Sequence, residues 1–387
     1  MLNYLVTQKL SHTFELGPIR PPSEAYSLLI RATRNCPWNR CQFCPVYKGS
    51  KFELRAVGQI IRDIEAVAAI SEGIREMAWQ GGYGDKVREV AATFCDQAQY
   101  GPCVCHVGQW LATGGKTAFL QDSNTLIMRT SELIQVIAYL RKTFPGLNRV
   151  TTYARSHTAA RKSSAELKDL KQAGLDRIHI GLETGYDPLL VYMEKGCTAE
   201  NHIEGGKKVR EAGNSLCEYV MPGLGGRKFS KQHALESARV LNEIGPDYIR
   251  LRSLHVSPAM PLWTRLQQGD FELQTEDEVV REIGVFIENL RVASYIKSDH
   301  ILNLLMEVEG QMPEEKEKCL DVISGYLSLP DEERLNFKVG RRAGLYNRLA
   351  DLGDIHKHDR IEQVTRTLRE QGSDVEGQIF RLKNSFI

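Results

Sequence analysis

The chain of 387 residues has no stretch approaching the ~18 consecutive apolar residues that a membrane-spanning helix requires, so no span is expected. It also lacks a net charge of either sign. Lysine plus arginine number 50 against 49 acidic residues, a formal charge of +1, and without a one-signed field nucleic acid is not expected as a partner. The stretch 1–16 carries His12 and Glu15 where a secretory signal would have an apolar core, so a cytoplasmic protein is expected. Repeats at a fixed period and low-complexity segments are absent. What is present, 42% hydrophobic and 26% charged residues, suits a soluble chain with at least one full core. The nine cysteines are an odd number and fit a disulfide framework poorly; thiols in a reducing compartment serve metals or catalysis.

Hydrophobic patterning predicts a strand at 26–30, reached through Pro21-Pro22, then a helix over 54–70 with Val57, Ile60, Ile61, Ile64, Val67 and Ala68 on one face. Strands follow at 117–120, 149–153, 177–182, 216–221 and 248–254, separated by helices at 131–144, 164–173, 200–212 and 231–244. Six strands alternating with helices predict an α/β fold with a parallel sheet and right-handed crossovers. Residues 71–115, with Gly81-Gly82, Trp79, Trp110, three cysteines and His106, interrupt the rhythm and read as a functional loop or lid. From 257 to the end the pattern is helical, at 276–293, 316–327 and 360–371, with prolines at the boundaries. The expected organisation is an N-terminal extension at 1–22, a core at 23–256 and a helical C-terminal region at 257–387.

Directly after the first strand stands Asn35-Cys36-Pro-Trp-Asn-Arg-Cys41-Gln-Phe-Cys44-Pro45. The loops that follow the strands of a parallel α/β fold carry its active sites. A structural zinc site closes with four ligands, and no second Cys-x-x-Cys or His pair lies downstream. Three thiolates with no fourth suit an iron-sulfur cluster with one iron left open, the position where chemistry happens.

This cysteine trio on a strand-one loop, with Phe43 just before the last thiol and six βα units, resembles the radical S-adenosylmethionine (radical SAM) superfamily. The spacing is Cys-x4-Cys-x2-Cys where the superfamily usually has Cys-x3-Cys-x2-Cys. The resemblance implies a partial (β/α)6 TIM-like barrel with a mostly helical C-terminal appendage, and a 4Fe-4S cluster on Cys36, Cys41 and Cys44. The unique iron would chelate S-adenosyl-L-methionine, whose reductive cleavage yields a 5′-deoxyadenosyl radical. Phe43 takes the position that packs near the adenine. Where the superfamily has Gly-Gly-Glu after strand two, this chain has Gln121-Asp122-Ser123-Asn124, making Asp122 a candidate acceptor for the methionine amino group. A rival register through Gly81-Gly82-Tyr83 fits the strand count less well. Glu183 after strand four matches a cosubstrate contact, Lys195 a partner for the methionine carboxylate, and Ser156 after strand three a ribose contact. Gly223, Gly225 and Gly226 resemble the turn that lets backbone approach the adenine. Asn336 to Arg342 and Ser298 to Leu305 look like a subfamily of iron-sulfur, oxidoreductase-like proteins without an assigned substrate.

Cys217 and Tyr153 are the candidate catalytic residues, with Tyr219 beside them. A thiol or phenol facing the barrel cavity can donate hydrogen to a product radical, although Cys217 equally suits a small core position. Cys95, Cys103, Cys105 and His106 offer donors for an auxiliary metal site, and His300, Arg341 and Arg342 for a cover over the barrel's open side. The expected function is hydrogen abstraction from a small-molecule or peptide substrate, with flavodoxin or ferredoxin as electron donor. The alternative is a haem or cluster carrier on the same scaffold, because fold does not fix function.

Overall fold

The computed structural model describes residues 4–91, 93–94, 100–370 and 374–384. The chain divides into two compact units. The first comprises Met1–Asn39, Val46–Ile180 and Lys208–Leu216, the second Arg40–Pro45, Gly181–Lys207 and Cys217–Ile387.

In the first unit β1 (Leu28–Arg31), β2 (Thr117–Gln121) and β3 (Arg149–Ala154) lie side by side and parallel. The first residues of β4 (Arg177–Glu183) extend them, Thr151 opposite Arg177 and Ala154 opposite Ile180. Near-continuous apolar runs such as Leu28-Leu29-Ile30 form these strands because both faces are covered. The cover is helical: α1 (Val57–Gln80), α2 (Pro102–Ala112), α3 (Thr130–Thr143) and α4 (Ser164–Gln172). Ile60, Ile64, Val67, Ile70 and Ile74 make the buried face of α1. Helix α4 starts where Ser163 Oγ accepts from the Glu166 N–H at 3.2 Å while Glu166 reaches back, a capping box.

Residues 71–115 are mostly a helical layer. The face of α1 continues ten residues past the expected end at 70, to Gln80, and α2 buries Val104, Val107 and Trp110. The Trp110 indole donates to the Thr117 carbonyl at 2.9 Å, tying α2 to the start of β2.

In the second unit β5 (Ser215–Val220), β6 (Tyr248–Leu251) and β7 (Tyr295–Lys297) are parallel neighbours, and β8 (Glu309–Gln311) returns antiparallel to β7. Its helices are α5 (Ala199–Glu211), α6 (Gly226–Ile244), α7 (Glu276–Glu288), α8 (Lys316–Leu327), α9 (Asp331–Arg342), α10 (Ile355–Glu370) and α11 (Val375–Asn384). Gly245, at φ 65°, stops α6 in the left-handed conformation that glycine adopts without strain. The fold class is thus α/β with a mostly parallel sheet, as the sequence predicts, and the C-terminal region is mostly helical. Strands β7 and β8 are the difference, since three residues are too short for a periodicity to register.

Arg341 and Arg342, expected as a cover, are instead buried clamps at 3% and 2% exposure. Arg341 donates to the carbonyls of Leu304, Tyr346 and Asn303 at 2.9–3.2 Å. Arg342 donates to Glu276 Oε1 and to the carbonyls of Ile301 and Leu302. Lys383 of α11 completes the group, 2.6 Å from Glu276 Oε1. Burial alone would raise the Glu276 pKa, yet Lys383 and Arg342 outweigh it and hold the group down at about 2, from an ordinary 4.5. A depressed folded-state pKa means that the unfolded chain binds the proton first, so stability falls with acid. The clamp is therefore expected to contribute fully above about pH 4.5 and to lose strength as the pH falls toward about 2. Hydrogen exchange across α7 and α11 over that range checks it: Glu276→Gln should exchange faster at pH 7 and show a flatter pH dependence.

Candidate functional site

The cysteine stretch is shared between the units, Cys36 in the first and Cys41 and Cys44 in the second. None of the three thiols is in a disulfide, and all are half-buried.

In the first unit Asn35 and Asn39 adopt positive φ, 66° and 49°, where asparagine is tolerated better than most residues. That turn points the Asn39 N–H at Cys36 Sγ, 3.4 Å away. Asp122 anchors the turn from below. Its Oδ2 accepts from Arg31 Nη2 at 2.9 Å, Arg31 Nε at 3.2 Å and the Asn35 N–H at 3.2 Å, and its Oδ1 accepts from the Tyr47 hydroxyl. Burial pushes the Asp122 carboxyl up despite Tyr47 and Arg31, and burial first, then Asp122, pushes the Tyr47 phenol far up. Both Asp122 oxygens are engaged and the side chain has no exposed surface, so it holds the Cys36 turn in place. Tyr47, which the sequence reading passed over, is part of the same lock.

Also in this unit, Tyr153 stands edge-on to Phe119 at 5.0 Å and to His179 at 5.9 Å. Ser156 is buried at the start of a short helix after β3. Arg155 lies 5.0 Å over the Trp38 ring, between Cys36 and Cys41 in the chain.

In the second unit Cys41 and Cys44 pack against an apolar cluster of Phe43, Leu189, Met193, Met221, Leu224, Val256, Leu262 and Phe271. The Gln42 N–H donates to the Met193 carbonyl at 3.0 Å, and the Leu262 N–H to the Gln42 carbonyl at 2.9 Å. Lys195 Nζ is 5.6 Å over the Phe43 ring and 3.1 Å from Glu183 Oε1. Glu183, Lys195 and Phe43 thus form one group. Glu183 has φ 62°, an unfavourable value for a residue with a long side chain and one that clusters at functional sites. Its carboxylate folds back over Gly181, where an added Cβ would stand 2.2 Å from Oε1 and would have to displace the carboxylate.

Gly223, at φ 86°, donates its N–H to Glu282 Oε1 at 2.7 Å. His233, not singled out from sequence, bridges Thr184 Oγ1 at 2.8 Å and the Met221 carbonyl at 3.1 Å, and so joins the ends of β4 and β5. Glu218 on β5 is fully buried, and burial lifts its carboxyl well above the ordinary range despite the nearby Lys195. Cys217 is 1% exposed on the opposite face of β5.

The auxiliary donors do not converge. Cys103 pairs with the backbone of Phe14 through both its N–H and its carbonyl, and His106 Nε2 accepts from the Leu29 N–H at 2.9 Å. Burial lowers the His106 pKa to about 4, which keeps the ring neutral for that bond. Cys105 is disulfide-bonded, and Cys95 lies outside the described residues.

Residues 108–238 match the family model of the radical SAM superfamily. The match spans about a third of the chain. The matched segment runs from α2 to α6 and begins after the cysteine loop. A curated tRNA uridine(34) acetyltransferase from Methanocaldococcus jannaschii is 21% identical over 120 residues, 31% of this chain and 22% of that protein. The chain thus spans about a fifth of the length of the curated relatives it matches. Among solved structures, the radical SAM methyltransferase TsrM from Kitasatospora setae aligns with a TM-score of 0.44 at 15% identity, covering 69% of this chain and 45% of that one. Methylornithine synthase PylB aligns at 0.42 and 11% identity, over 76% of each chain.

Proposed function

We propose that the protein reductively cleaves S-adenosyl-L-methionine at a 4Fe-4S cluster and uses the resulting radical to abstract hydrogen from an organic substrate. The observation that carries this is the trio Cys36, Cys41 and Cys44: three half-buried thiols outside any disulfide within one loop after β1, in a chain whose residues 108–238 match the superfamily model. The donor set fits the cluster, because three thiolates leave one iron without a protein ligand. When bound, the cluster supplies one electron to the sulfonium, whose bond to C5′ breaks to methionine and a 5′-deoxyadenosyl radical.

The chain's own residues do the rest. Lys195 offers a cation for the methionine carboxylate, and Glu183, held beside it, an acceptor for the amino group or ribose. Phe43 and its cluster supply an apolar wall for the adenine and keep water off the Cys41 and Cys44 side of the loop. Gly223, in the buried turn after β5, is the adenine candidate there, and Ser156 is the ribose candidate after β3. Residues 23–256 form the catalytic core on this reading, and a flavodoxin- or ferredoxin-type donor in the cytoplasm supplies the electron.

The test is anaerobic reconstitution with iron and sulfide, followed by chromatographic measurement of 5′-deoxyadenosine after addition of dithionite and S-adenosylmethionine. Product above that of protein lacking iron is expected. Its absence from protein that carries a full cluster would favour a cofactor carrier. Glu183→Gln should keep the iron content and raise the dissociation constant for S-adenosylmethionine by about tenfold or more, as befits one lost charge-assisted hydrogen bond. Unchanged affinity would make Glu183 structural.

A further inference from the structure

Successive residues of a strand point to opposite faces, and in the second unit the two faces of β5, β6 and β7 differ sharply. One carries Val220, Ile249, Leu251 and Ile296 with the buried Glu218 among them, each 2% exposed or less. The other carries two rows set by the pairing register. Cys217 is opposite Tyr248, which is opposite Tyr295, and one level on Tyr219 is opposite Arg250, which is opposite Lys297. Apart from buried Cys217, all of these are half-buried. Such a face is neither core nor open surface.

Arg250 is the centre of the second row. Its side chain is 12% exposed and donates from Nη1 to Asp299. No other hydrogen bond from this guanidinium is found among the described residues, and Nε and Nη2 are not among the buried atoms without a partner, so this edge, the fork that matches a carboxylate, is open to water and to a ligand. Burial works against its charge, and Tyr219, Cys217 and Asp299 around it more than compensate. The segment that carries Asp299 is tied down beside it: Asn303 donates to Ser298 Oγ at 3.0 Å and to the Leu251 carbonyl at 2.9 Å, and accepts from the Ser253 N–H at 2.8 Å. The loop that orients Arg250 is therefore fixed before any ligand arrives. Arg252 adds an exposed cation, and burial followed by Arg252 lowers the neighbouring His300 to about 4.

We propose that this face is the substrate surface and that Arg250 receives a carboxylate of the substrate on the guanidinium edge that Asp299 leaves open, with Tyr219, Tyr248 and Tyr295 packing the remainder. The substrate class is a small carboxylic acid. Calling the ligand a substrate rests on the radical SAM function proposed above; the carboxylate site does not.

The probes are succinate, its neutral isostere succinamide, and inorganic phosphate, titrated calorimetrically into the full-length reconstituted protein. Succinate is expected to bind about tenfold or more tightly than succinamide, and more tightly than phosphate. Arg250→Gln combined with Asp299→Asn, which avoids stranding a carboxylate, should erase the preference for succinate over succinamide. Arg250→Lys should keep the preference for an anion and lose that for succinate over phosphate, because a point charge replaces a planar fork. Equal binding of succinate and succinamide, no binding of either, or a preference that survives in the double variant would overturn the site. Phosphate binding tighter than succinate would overturn the carboxylate assignment. A protein that shows the succinate preference yet forms no 5′-deoxyadenosine would count against the proposed function and leave the carboxylate site standing.

Discussion

Replacing Cys36, Cys41 and Cys44 together by alanine is expected to remove the four-iron complement and to reduce 5′-deoxyadenosine formation to background, with little change in melting temperature. The loop does not depend on its thiols for shape. On the Cys36 side, Asp122 gathers Arg31, Tyr47 and the Asn35 N–H, and Asn39 donates to the carbonyls of Tyr47 and Ser50. On the other side, Gln42 is bonded to Met193 and Leu262, and Phe43 is 8% exposed in its cluster. Three half-buried thiols trimmed to methyl groups each cost little against these contacts. Iron and sulfide analysis with electron paramagnetic resonance on the reduced protein reads the result. Iron retained at wild-type level would overturn the ligand assignment, since Cys103 is engaged with Phe14 and Cys105 is in a disulfide. A large drop in melting temperature would show instead that the thiols themselves hold the loop.

The six parallel strands were legible because each is an apolar run bounded by turn residues, and their observed limits lie within about three residues of those expected from pattern alone. The Glu183, Lys195 and Phe43 group was legible only through family resemblance. Nothing in the local sequence shows that a glutamate at positive φ lies over a glycine two residues back. Asp122 shows the opposite limit. Its position after β2 suggested a ligand, whereas its partners Arg31 and Tyr47 lie 91 and 75 residues away, and sequence pattern carries no trace of contacts over that distance. Arg341 and Arg342 misled for the same reason: a charged pair at the end of an amphipathic helix reads as surface unless Glu276 and the carbonyls of 301–304 are known to face it. The face of β5, β6 and β7 needs the register, which brings Arg250 between Tyr219 and Lys297.

Truncation before Ser257 is expected to yield insoluble protein. The C-terminal region completes the second unit's sheet, so a role limited to covering the substrate does not describe it. Strand β6 pairs along its length with β7, Tyr248 opposite Tyr295 and Arg250 opposite Lys297; without β7 its edge is a free template for intermolecular pairing. Helix α7 packs on α6, and Val280, Ile283, Phe286 and Ile287 are among the side chains buried there. At ~2 kcal/mol for each large apolar side chain, those four alone contribute on the order of 8 kcal/mol, comparable to the whole stability of a typical domain. Removing them also bares the face of α6 on which α7 packs, and exposed apolar surface of that kind drives association. A cut before Ile355 is a different experiment. It spares β7, β8 and α7 to α9, and removes the Lys383 contact to Glu276 while leaving that of Arg342. That shorter chain should remain soluble with a lower melting temperature, and its 5′-deoxyadenosine formation should persist if α10 and α11 take no part in cleavage. Measuring the soluble fraction of both truncations under the same expression conditions separates the cases. A soluble, monomeric chain ending before Ser257 would show that β6 tolerates a bare edge and that the two C-terminal strands are dispensable.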